Sequence, residues 1–179
     1  MSKDKLPIQV DPVRLAENAA DLHGKLLVKN MSRLCTSLIG TDGEVDVAIK
    51  FGVDRQGVRN IEGHVKAELT LQCQRCLEPF MYEAVSDFTY GMVNAEDDAK
   101  ALPASYDPVL IKDGSLNIQD MIEEELIVNL PIVPMHNPND CKIQLPLLVA
   151  KNNESLPVVE KENPFKIIES LKVKKPKQE

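Results

Sequence analysis

Leu69-Thr70-Leu71-Gln72-Cys73-Gln74-Arg75-Cys76-Leu77-Glu78-Pro79-Phe80 is the stretch on which the reading of the chain turns. An alternating apolar/polar run enters it, two thiols follow with two residues between them, and a second strand-like run leaves it. The spacing predicts a hairpin with Cys73 and Cys76 at its tip. Two sulfurs so placed can turn toward one point, which supplies half of a tetrahedral zinc site. Upstream, Val45, Val47, Ile49, Phe51 and Val53 share a face against Glu44, Asp46, Lys50 and Asp54, the mark of a half-buried strand. Arg55-Gln56-Gly57 turns the chain. Ile61, Val65, Ala67, Leu69 and Leu71 then lie opposite Glu62, His64, Lys66, Glu68, Thr70 and Gln72, so Cys73 continues the apolar side and His64 belongs to the solvated one. Downstream, Phe80, Tyr82, Ala84, Phe88, Tyr90 and Met92 keep the alternation, completing an antiparallel meander of about three strands.

The flanks add helices. Residues 6–10 alternate like a short strand, and Asp11-Pro12 supplies a cap and a first-turn proline for a helix over residues 12–20. Residues 22–28 read as another strand. Met31, Leu34, Cys35, Leu38 and Ile39 recur at helical steps closed by Gly40, which places Cys35 in the core as a structural thiol. Residues 94–100 read as an acidic loop and residues 106–111 as a short edge strand. Ser115 or Asn117 caps a helix with Ile118, Met121, Ile122 and Leu126 on one face, ending before Pro131, with Glu123, Glu124 and Glu125 as a solvated run. The fold class is therefore α+β, an antiparallel sheet packed by two or three helices, with an irregular C-terminal tail. Residues 1–141 form one globular domain, 142–162 a flexible linker, and 163–179 a short docking helix with a basic end at Lys172, Lys174, Lys175 and Lys177.

A chain of 179 residues is long enough to bury a core. It has neither a run of ~18 or more apolar residues nor an apolar signal segment behind Met1-Ser2-Lys3-Asp4-Lys5. A soluble, cytoplasmic protein with four reduced thiols is expected, with no membrane contact. The net charge of -7 and pI near 5.1 oppose broad attachment to a polyanion, and 4% aromatic content leaves few platforms for stacking bases. Contact with nucleic acid must be local or pass through a protein.

Three chemistries are open to the thiols. As a metal site, Cys73 and Cys76 join Cys141 and His136 in Cys-Cys-Cys-His ligation of zinc, with prolines 131, 134 and 138 holding the second loop against the hairpin. As a redox pair they need a helix N-terminus to stabilise a thiolate, which strand flanks do not offer. As packing residues they are small apolar side chains at a turn. No phosphate-cradling glycine loop and no orienting third group beside a Cys/His pair point to catalysis or to a small-molecule substrate.

Cys73-Gln74-Arg75-Cys76-Leu77, Ala101-Leu102-Pro103 with Tyr106-Asp107-Pro108, the acidic helix ending in Leu130-Pro131-Ile132-Val133-Pro134-Met135-His136, Cys141, and Asn163-Pro164-Phe165 with Leu171-Lys172 together resemble the bacterial YceD family. The likeness runs nearly end to end. It implies a non-enzymatic ribosome-biogenesis factor linked to accumulation of the large-subunit (23S) ribosomal RNA. Some relatives carry a second two-residue-spaced cysteine pair where this chain has only His136 and Cys141. The partners expected are a basic ribosomal protein, favoured by the acidic bulk, and precursor RNA, touched by Arg75 exposed at the tip and by the lysines of the tail. The alternatives are a zinc- or thiol-dependent enzyme and an adaptor for a non-ribosomal protein.

Overall fold

The structure, a computed structural model, describes residues 6–143. The alternating segments form strands: β1 (Gln9–Val10), β2 (Asp21–Leu27), β3 (Glu44–Val53), β4 (Arg59–Gln72), β5 (Pro79–Val93), β6 (Asp107–Leu110) and β7 (Leu116–Asn117). The helices are α1 (Pro12–Glu17), α2 (Ser32–Cys35) and α3 (Ile118–Asn129). A five-stranded sheet runs in the order β2-β3-β4-β5-β6, and β1 pairs with β7 in a separate ribbon. The expected α+β class holds. The meander gains β2 on one edge and, on the other, β6, which lies parallel to β5 rather than antiparallel. A parallel neighbour needs a crossing connection of about a dozen residues or more. Here the connection contains a 3-10 helix, Glu96–Ala101, where the sequence suggests only a loop. Its acidic first turn is bonded through Asp98, whose carboxylate accepts from the Ala95 amide at 3.2 Å.

Register follows the alternation. Ile49 faces Gly63, and Gly63 faces Phe88, so the inward residues of three strands fall in one layer. Val45, Val47, Ile49, Ile61, Val65, Ala67 and Leu69 are buried beneath the helices, together with Ile118, Ile122 and Leu126 of α3. The opposite face carries the ion pairs Lys25–Glu44 (2.8 Å) and Lys66–Glu83 (2.7 Å) and the His64–Asp87 contact (2.7 Å), as its polar alternation predicts. β4 and β5 stay paired from Asn60 to Gln72, whereas β3 accompanies β4 only as far as Ala67. The hairpin therefore outruns its neighbour by five residues.

Gly63 has a specific reason to be glycine, because a Cβ there would stand 2.0 Å from Cζ of Phe88, whose ring lies over the bare backbone. Gly63→Ala is expected to lower stability by about 2 kcal/mol through overpacking. Urea unfolding checks this, and adding Phe88→Leu should recover much of the loss.

Two helical expectations are revised. The run over residues 31–39 makes only the four residues of α2, preceded by a 3-10 turn at Val28–Asn30. Thr36 bonds its hydroxyl back to Arg33 O at 2.6 Å, and the amide of Ile39 is drawn to Thr70 O on β4 at 3.0 Å. Ile39 is consequently half exposed, while Cys35 packs at the margin of the core and donates to Val28 O. The three adjacent glutamates are not a solvated face either. Glu123 is 3% exposed and accepts from the amides of Arg33 (2.6 Å) and Leu34 (3.0 Å), capping α2 from ninety residues away. Glu125 accepts from Ser86 (2.6 Å) and from the hydroxyl of Tyr90, which leaves Glu124 as the exposed member.

Candidate metal centre

The site begins where β4 ends. Alternation carries Cys73 to the buried face, and residues 73–78 reverse the chain as a tight turn in which Leu77 N donates to Cys73 O (2.9 Å) and Cys73 N to Glu78 O (3.0 Å). Leu77 sits at φ 61°, a left-handed conformation that disfavours a branched side chain and that glycine would adopt freely. The hairpin tip is as the sequence predicts. Burial opposes ionisation of Cys73, but the amides of Cys76, His136 and Arg75 and the His136 side chain outweigh it, holding the thiol down to about 5. For Cys76 the Glu78 amide favours the thiolate, yet burial and the sulfurs of Cys141 and Cys73 prevail and push it up.

The second half of the site arrives from the end of α3. Leu130 leaves helical geometry before Pro131, and the proline-rich segment lies along the hairpin tip. Gln74 N donates to Pro134 O at 2.8 Å, Arg75 Nη2 to His136 O at 3.1 Å, and Lys142, which the sequence reading puts at the start of a linker, pairs with Glu78 at 2.8 Å. The Phe80 ring lies 5.0 Å from the His136 imidazole. Cys76 Sγ is then 3.4 Å from His136 Nδ1, and the donor atoms of Cys73, Cys76, His136 and Cys141 all lie within 4.8 Å of one another. Donors around a single zinc ion stand about 3.7 Å apart. Three soft sulfurs and one borderline nitrogen, gathered from two loops some sixty residues apart, form a cluster that could hold a metal ion.

The structure thus brings together the four expected ligands, with Arg75 beside them. Arg75 is half buried rather than exposed, with its guanidinium turned onto the His136 carbonyl and its Nε buried without a hydrogen-bond partner. Lys172, Lys174, Lys175 and Lys177 lie outside the described residues, as do residues 144–162 of the proposed linker and the short docking helix and basic tail expected over 163–179. Glu123 as a cap and Phe80 as the wall of His136 were not found from sequence. Phe80 had a usable signal, an inward position two residues into β5.

A mostly antiparallel sheet whose longest hairpin carries two thiols at its tip, met by a third thiol and an imidazole from the segment after α3, defines a small α+β protein with a Cys3His cluster joining two loops. Comparison with known proteins gives the family. Residues 61–172 match the family model described as large ribosomal RNA subunit accumulation protein YceD. A Haemophilus influenzae (strain ATCC 51907 / DSM 11121 / KW20 / Rd) protein named "Large ribosomal RNA subunit accumulation protein YceD" is 34% identical over 183 residues, covering 97% of this chain and all of the relative. The chain belongs to the YceD family. No solved structure gives a significant match.

Proposed function

We propose that this protein is a non-enzymatic factor supporting accumulation of large-subunit ribosomal RNA, and that its Cys3His cluster holds one structural zinc ion. The observation that carries the first part is likeness over nearly the whole chain to a relative named for that role. Support for the second is the donor set, in which four protein ligands leave no position open for a substrate, as in structural rather than catalytic zinc sites. A groove of about 690 Å³ lies away from the thiols, against Tyr90, Val109, Asp113, Asp120 and Glu124. A reaction centre would favour a cavity beside the thiols. Zinc would fasten the 131–141 segment to the hairpin tip and give the pair one rigid outer surface for a ribosomal protein or precursor RNA. Among the described residues no helix is long and apolar enough to cross a membrane.

The test is depletion of the protein from its own cells, with the ratio of large- to small-subunit ribosomal RNA as the readout. The ratio should fall severalfold and return with the unaltered gene. An unchanged ratio would overturn the reading. Recovery of tagged protein with large-subunit precursors before and after nuclease then distinguishes the contacts: ribosomal proteins retained after digestion indicate a protein contact, and loss of all recovery indicates RNA.

A further inference from the structure

This inference rests on the zinc reading. A divalent ion bound by three thiolates and a neutral imidazole carries one net negative charge, and it would lie between Cys73 and Cys141, which are 0% and 4% exposed. A net charge removed from water requires a compensating group. Two cations flank the cluster. Lys142 is neutralised by Glu78 at 2.8 Å. Arg75 makes no salt bridge among the described residues. Its Nη2 donates to His136 O, and its Nε is buried with no acceptor. A guanidinium placed for phosphate recognition would keep its donors in solvent. Leaving a buried charged donor unmade is unfavourable unless another charge offsets it.

We propose that Arg75 is the charge-balancing and positioning residue of the metal centre rather than a contact for an outside phosphate. Its Nη2 fixes the carbonyl of the ligand His136, and its Nε–H answers the negative charge that metal-bound thiolates bring. Arginine suits this place because its planar fork keeps its charge and offers several donors in fixed directions, which a lysine ammonium does not. Groups that orient and neutralise metal ligands in this way set affinity as the ligands themselves do.

The experiment uses the full chain as wild type, Arg75→Met and Arg75→Lys. Zinc affinity is measured by competition with a chromophoric chelator, and the thiolate-to-metal absorption band is recorded with Co²⁺. Arg75→Met should bind zinc roughly 10-fold more weakly and shift the cobalt band. Arg75→Lys, which restores charge without the planar fork, should fall between the two. Equal affinities in all three proteins would overturn the proposal while leaving the zinc site standing. A drop of equal size in both variants with an unmoved cobalt band would also overturn it, since that pattern marks a loss of folding alone. A wild-type chain that takes up no zinc at equimolar metal would overturn the zinc reading, and this inference with it.

Discussion

Cys73→Ser is expected to remove zinc from the purified protein and to lower its melting temperature by about 10 °C. The size follows from what the cluster joins. Cys76 and His136 are sixty residues apart, and a cross-link closing a loop of that length removes about 4 kcal/mol of chain entropy from the unfolded state, minus whatever strain the closed site carries. For a chain of this length each kcal/mol moves the melting point by roughly 2–4 °C. A chelator added to the wild type should reproduce the shift, whereas Cys35→Ser should keep its metal, because that thiol merely donates to Val28 O at the core margin. The check is metal analysis by mass spectrometry beside thermal melts with and without chelator. A wild-type melt indifferent to the chelator would refute the structural role of the metal.

Glu123→Ala is expected to destabilise the fold by about 3–4 kcal/mol. Its carboxylate accepts two amides at the start of α2 and faces Arg33 Nε at 3.4 Å while 3% exposed. Truncation leaves both amides without acceptors, that of Leu34 buried and that of Arg33 partly so, each worth about 1–3 kcal/mol. Glu124→Ala, at a side chain 70% exposed, should change stability by less than about 0.5 kcal/mol. Urea titrations of the two variants measure the difference directly, and a Glu123→Ala loss below about 1 kcal/mol would show that water satisfies those amides after all.

The contrast between these two glutamates explains what could be read in advance. The strands were legible because each position's face follows from its neighbours two residues away: Val45 to Phe51, Ile61 to Leu71 and the inward position of Cys73 all fall where alternation puts them. The helix cap at Asn117, whose Oδ1 accepts the Asp120 amide, was equally local. Glu123 was not, since nothing near it in sequence distinguishes it from Glu124 and its partners lie ninety positions earlier. The parallel seat of β6 was hidden for the same reason, being set by the crossing segment, where Leu102 packs on the bare backbone of Gly91. At the Cys3His cluster the four donor types were legible and their meeting was not, because it depends on where α3 releases the chain. Arg75 was misjudged by its position in a turn, which suggests solvent, when a second loop in fact covers it.

The overhang of the long hairpin bears on how an acidic protein could approach a polyanion. Residues 6–143 carry 12 Lys and Arg against 22 Asp and Glu, a field that would repel phosphates at close range. Five strand residues beyond Ala67 place the turn about 17 Å past the end of β3. Counter-ions at physiological strength extinguish such a field over about 8 Å. The turn thus stands some two screening lengths from the charges at the end of β3, so its own side chains and those of the segment packed on it, rather than the field of the whole body, set what the tip meets.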